Sequence, residues 1–238
     1  MGYRGVGLGV AAALLSAAGA VAQQPAEYGP ARHFAGAAVI VAQPVGAFAD
    51  NVDVGFGLGG HLLVGAARGG ALALRLDAGV VNYGRTTKEV CFSSTVGCRV
   101  KLDLTTMNNI AYGQIGPQVM VPTGRVRPYA NAGIGVSYFG TESSVKGTSG
   151  GQDDFARTTN FDDATFAWGA GGGLVIPVSF GRVPVSIDLG ARYHGNGKVE
   201  YLREDGITDN PDGSISIHPT RSNADLVTYQ VGVSIGLR

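Results

Sequence analysis

The chain has 238 residues, of which 45% are hydrophobic and only 15% charged, with 39 glycines and 18 Lys and Arg balanced by 18 Asp and Glu. Such an apolar chain of zero formal net charge is not a disordered segment, and the lack of a basic patch argues against nucleic acid as a partner. No apolar run reaches the ~18 residues that a membrane-spanning helix requires.

Residues 1–22 read as an export signal. Tyr3 and Arg4 open a short charged region, Val6 to Ala18 is small and apolar, and Ala20-Val21-Ala22 offers an A-x-A cleavage site before Gln23-Gln24. The glycine- and alanine-rich centre is too weakly apolar for an anchor, so cleavage is expected, leaving 23–238 as one domain. Eight period-2 apolar stretches follow, at 33–43, 53–65, 71–83, 104–121, 127–140, 164–178, 183–195 and 225–237. Connections after the second, fourth and sixth are tight, at 66–70, 122–126 and 179–182. Those after the third, fifth and seventh run long, at 84–103, 141–163 and 196–224, while the first, Pro44 to Asn51, is shorter than these. Long connections at one end and short ones at the other predict an all-β fold, an eight-stranded antiparallel up-and-down transmembrane β-barrel. Without a spanning helix, closing a sheet on itself is the way to satisfy the backbone in lipid.

The two cysteines, Cys91 and Cys98, lie in the first long connection. In an exported chain two cysteines seven apart in one loop predict a local disulfide, and no further Cys or His nearby supports a metal site.

Alternation predicts which face meets lipid. In the last stretch Val227, Tyr229, Val231, Val233, Ile235 and Leu237 share one face, against Thr228, Gln230, Gly232, Ser234 and Gly236. The seventh sets Val185, Ile187, Leu189 and Tyr193 against Ser186, Asp188, Gly190, Arg192 and His194. In the third, Leu72, Leu74, Leu76 and Val80 oppose Arg75, Asp77, Gly79 and Val81. A soluble secreted barrel would turn the apolar face inward. A water-facing surface of Gly, Ser, Thr and Gln with so few Lys and Glu would be unusual. The apolar-face aromatics Phe56, Tyr138, Phe166, Trp168, Tyr193 and Tyr229 also fall near one rim, as an aromatic girdle. The lipid-facing reading is therefore preferred. Parity is not assignable in the first stretch, and Asn109 and Tyr112 each disturb a register of the fourth, which suggests a bulge.

On the inward faces Arg75, Asp77, Asp188 and Arg192 predict a mutually satisfied charge network, extended by Gln114, Gln118, Asn131 and Gln230. An eight-stranded barrel is filled by its own side chains, so a plug is the preferred reading and a gate that re-pairs to open a conduit the alternative. An enzyme comes third. His194 stands at the upper end of the seventh stretch, but position 196 is Asn where a lipid A deacylase motif has Ser, so no catalytic residue is assigned. The run 205–214 is rich in Asp, Asn and Gly, yet it lacks the EF-hand spacing and reads as turns; no metal or cofactor is expected.

The A-x-A signal, the turn-and-loop rhythm, the segment Tyr129-Ala130-Asn131-Ala132-Gly133-Ile134-Gly135-Val136 and the final Tyr229-Gln230-Val231-Gly232-Val233-Ser234-Ile235-Gly236-Leu237 resemble the small eight-stranded outer-membrane barrels, the outer membrane protein beta-barrel domain group. The resemblance implies integral insertion in the outer membrane, with outer-membrane lipid and the assembly machinery as partners. Many such barrels end in an aromatic residue, whereas this chain ends Leu237-Arg238. The functional expectation is a structural or surface-interaction role, with an extracellular ligand bound through the long loops; the alternative is a narrow pore.

Overall fold

The strand pattern closes into a ring. The computed structural model of the chain describes residues 33–65, 70–91, 101–147, 156–179, 183–203, 206–210 and 214–237; the expected export signal, residues 1–22, lies outside them. Twelve strands are present among these residues: β1 His33–Pro44, β2 Gly55–Gly65, β3 Leu72–Cys91, β4 Lys101–Met120, β5 Arg127–Gly147, β6 Ala156–Ser179, β7 Val185–Asn196, β8 Lys198–Tyr201, β9 Ile207–Asp209, β10 Ile215–Ile217, β11 Thr220–Asn223 and β12 Leu226–Leu237. Eight of them form a closed barrel in the order β1-β12-β7-β6-β5-β4-β3-β2. All its neighbours are antiparallel, and β1 seals the ring against β12 from His33 opposite Leu237 to Pro44 opposite Leu226.

Alternation decides the two faces. Phe56, Leu58, Leu74, Leu76, Val80, Ile115, Ile134, Val136, Leu174, Val231 and Ile235 all stand exposed on the outer wall, with Leu58 67% and Val136 61% accessible. Large apolar side chains so exposed on seven of the eight barrel strands are what lipid, not water, accommodates. The inner face of β1 carries Gly36, Ala38, Ile40, Ala42 and Pro44, since Ile40 and Ala42 are buried while Val39 and Val41 are exposed. The irregularity expected in the fourth stretch falls instead on β3, between Asn82 and Gly84. Asn82 Nδ2 fills it by donating to Asn109 Oδ1 at 3.0 Å and to Asn108 O at 3.2 Å. Tyr112 then points inward without disturbing Gln114 or Gln118.

Two of the three expected long loops are largely strand. β1, β2, β7 and β12 are 11 or 12 residues long, close to the ~9–11 that cross a bilayer when tilted. β3, β4, β5 and β6 have 20, 20, 21 and 24 residues, so strand takes up 84–91, 101–103, 141–147 and 156–163 of the expected loops 84–103 and 141–163, the rest of which lies outside the described residues. The cause is hydroxyl pairing between strands rich in Thr and Ser, a pattern that carries no apolar alternation. Thr87 and Thr105 share a hydrogen bond at 3.0 Å, Thr106 and Ser143 one at 2.9 Å, and Asn160 Nδ2 donates to Ser143 Oγ at 2.6 Å. Eight residues beyond the ring raise this four-stranded sheet roughly 20 Å at the usual rise and tilt. Glu89 and Lys101 pair across its tip, and that hydrogen bond holds the Lys101 amine above its ordinary value. The third long connection carries two small ladders, β8 with β11 and β9 with β10.

Candidate functional site

The lumen contains two layers. The lower one is polar and begins with Arg75, whose Nε donates to Asp77 Oδ1 and Oδ2 at 2.8 and 2.9 Å and whose Nη1 donates to Gln118 Oε1 at 2.8 Å. Arg192, from the far side of the ring, donates through Nη1 to Asn131 Oδ1 at 2.5 Å and to Asp77 Oδ2 at 3.2 Å, and through Nη2 to Gln114 Oε1 at 2.7 Å. Asp77 is therefore shared between both guanidinium groups. Asp188 is held differently. Its Oδ1 accepts from Tyr129 OH at 2.8 Å, and His61 Nε2 stands 3.8 Å from its Oδ2. Gln230 Nε2 donates to the same tyrosine at 3.3 Å, and Arg75 lies over the Tyr129 ring at 5.7 Å. Tyr129 and His61 are thus members of the layer that a search for charged alternation passes over.

Glycine makes room for these long side chains. A Cβ on Gly169 would stand 2.6 Å from Arg192 Nε and from Gln114 Oε1, and one on Gly190 would stand 2.6 Å from Tyr129 OH. The inward glycines of β6 and the Arg of β7 are complementary shapes. His194 closes the layer from above: its Nε2 is 3.1 Å from Thr228 Oγ1, its Nδ1 3.4 Å from Gln114 Nε2, and its ring 4.9 Å from that of Tyr112. Both ring nitrogens face neutral side chains, and among the described residues no carboxylate is bonded to the ring.

The upper layer is an apolar cork. Phe48, on a 3₁₀ turn at Gly46–Phe48 in the first connection, is 1% exposed and packs edge-on against Tyr83, Phe139 and Tyr201 at ring separations of 5.7, 6.2 and 5.0 Å. Val199, Ala224 and Leu226 complete the cluster with Ile40, Val81 and Ile110 of the barrel wall. Tyr83 OH donates to Leu202 O at 3.4 Å. The connection after β1 and the segment from β8 to β11 therefore fold inward over the mouth. The sequence signal was there in Val199-Glu200-Tyr201, which alternates, but the short first connection gave no hint that Phe48 turns inward.

The other expected residues stand as follows. Phe56, Tyr138, Phe166, Trp168 and Tyr229 are exposed on the outer wall, with Trp168 and Tyr193 in ring contact at 5.3 Å and Tyr193 OH bonded to Asp225 Oδ2 at 2.8 Å. Cys91 is the last residue of β3, and Cys98 lies outside the described residues. Residues 204–205 and 211–213 of the acidic run also lie outside them. In the rest Asn210 Nδ2 donates to Ser214 Oγ at 2.9 Å and Ser216 Oγ at 3.0 Å, as a turn asparagine does.

Neither a protein-family model nor a curated protein matches the chain. Among solved structures it is similar to Neisserial surface protein A (NspA), at 16% identity over 88% of this chain and 100% of that one, with a TM-score of 0.41. It is similar also to Ail, the attachment invasion locus protein of Yersinia pestis, at 11% identity over 87% of this chain and 99% of that one, TM-score 0.42. A major outer membrane protein of Thermus thermophilus matches at 13% identity over 83% of this chain and 98% of that one, TM-score 0.44. The chain's own closure by eight antiparallel strands and its apolar outer wall make it an integral outer-membrane β-barrel of the small eight-stranded kind.

Proposed function

We propose that this barrel is closed to solutes and acts through its extracellular face, as a structural and surface-interaction protein. The observation that carries the reading is the double closure of the lumen. A polar layer centred on Asp77 spans the ring, and the cork of Phe48, Tyr83, Phe139 and Tyr201 lies across the mouth above it. A conduit would require both to move. The four-stranded projection built by β3 to β6 then presents the largest surface beyond the membrane, and ligands of macromolecular size meet it first. Planar-bilayer recordings of refolded protein test this: inserted barrels are expected to remain silent, and discrete conductance steps would overturn the reading.

One observation favours a narrow pore as the second reading. Arg192 sits between Asp77, Asn131 and Gln114, so it has alternative acceptors at hand if the Asp77 contact breaks. In that case Arg192→Ala enlarges the steps seen in wild type; unchanged recordings remove the residue-level support for a gate. The paired cysteines Cys91 and Cys98, the girdle and the removal of residues 1–22 belong to the same proposal, as devices that stiffen, seat and export the barrel.

A further inference from the structure

Beside the cork, at the extracellular mouth, a half-enclosed cavity of about 340 Å³ is lined by Asp50, Asn51, Val52, Asp53, Tyr83, Asn108 and Arg203. Its outer wall is a hydrogen-bonded turn. Ala49 N and Asn51 N donate to Gly46 O and Phe48 O at 3.0 and 3.1 Å, Asn51 Nδ2 donates to Ala47 O at 2.9 Å, and Phe48 anchors the turn in the cork. The two exposed carboxylates of Asp50 and Asp53 are presented from this turn, and neither forms an ion pair among the described residues. The floor is a donor. Asn108 is 2% exposed; its Oδ1 accepts from Thr141 Oγ1 at 2.7 Å, while its amide nitrogen has no acceptor among the described residues. That amide is not sealed from solvent, and on a residue lining a polar cavity it is a donor open to a ligand. Arg203 adds a guanidinium with five donors, enough to serve a ligand besides its neighbours.

We propose that this cleft binds a small zwitterion of net positive charge, the chemistry of a free basic amino acid. Two carboxylates take its ammonium groups, and Asn108 and Arg203 take its carboxylate. The lining charges of Asp50, Asp53 and Arg203 leave a surplus of negative charge, which favours a basic ligand over a neutral or acidic one. The volume lies at the small end of ligand pockets and suits a single molecule of that size. A bare divalent cation fits less well. Among the described residues no three His, Cys, Asp or Glu side chains converge, and a guanidinium lines the same wall.

The proposal extends the surface-binding reading and rests on it only for the outward orientation of this end. The test is an amide-NMR titration of the whole barrel in lipid nanodiscs with L-lysine, and in parallel with L-glutamate and with calcium chloride. L-Lysine is expected to give saturable shifts around 50–53, 83, 108 and 203, with at least ~10-fold weaker binding in Asp50→Asn and Asp53→Asn, about 1.4 kcal/mol. Arg203→Gln is expected to lose carboxylate recognition, so that L-lysine falls to the affinity of its decarboxylated analogue cadaverine. No saturation by ~10 mM L-lysine, beyond the weak end of small-molecule recognition, overturns the proposal. Equal binding of L-glutamate, or response to calcium alone, does so as well. Because conductance is measured separately, failure here leaves the closed-barrel reading standing.

Discussion

Asp77 has a double duty, since it neutralises Arg75 and Arg192 together inside a wall of hydrocarbon. Removing one partner from a buried ionic cluster strands the other charges, at a cost of ~3–5 kcal/mol. Asp77→Ala is therefore expected to lower unfolding stability in lipid vesicles by about that amount, read from urea titrations of tryptophan fluorescence. The Glu89–Lys101 pair behaves otherwise, because water screens it at the exposed tip, and Glu89→Gln is expected to leave the same midpoint unchanged. Space is as specific as charge. Gly169→Leu drives a side chain into Arg192 and Gln114, and the overpacking is expected to cost ~1–3 kcal/mol in the same assay.

At the scale of elements, the first connection has Phe48 as its central anchor, with Val52 packed on the same cluster and Val45 N bonded to Asp225 O at 3.0 Å. Phe48 reaches three aromatic rings from a three-residue turn and is the most buried contact that docks it. Phe48→Ala is expected to release residues 45–54 to proteolysis while the strands of the barrel remain protected, as limited digestion with mass spectrometry of the fragments will show. The projecting sheet has a different support. Its stability comes from cross-strand hydroxyl pairs and from ladders that continue those of the barrel beneath, rather than from a core of its own. A Cys91–Cys98 bond at its tip is expected to appear as one linked peptide on non-reducing mapping, and its reduction is expected to loosen the tip without unfolding the ring.

The whole molecule is a solubility pattern turned inside out, with side chains that water would repel on its surface and side chains that lipid would repel in its centre. Leu76 lies mid-span on the outer wall, and Leu76→Arg is expected to destabilise the inserted barrel by ~2–4 kcal/mol. In a water-soluble barrel an outward arginine would be harmless, so the same variant distinguishes the two environments. Trp168 reports depth: as an outward residue near the upper rim, it is expected to be quenched most by lipids labelled near the headgroup and least by labels at the bilayer centre.

Strand number, antiparallel order, the outward face and the inward position of Arg75, Asp77, Asp188 and Arg192 were legible in the chain, because a period of two is a local property of each segment. The polar upper halves of β3 to β6 were not, since Thr and Ser ladders alternate without contrast in hydropathy and resemble loop composition. Nor was the pairing inside the lumen. That Asp77 meets Arg192, that Asp188 turns to Tyr129 and His61, and that Phe48 meets Tyr201 depend on the relative registers of strands far apart in the ring. A one-residue slip of any strand would exchange its two faces. Sequence alone determined what the strongly alternating strands show to lipid and to the lumen; closure of the barrel decided which of those side chains meet, because only closure brings opposite walls within reach of one another.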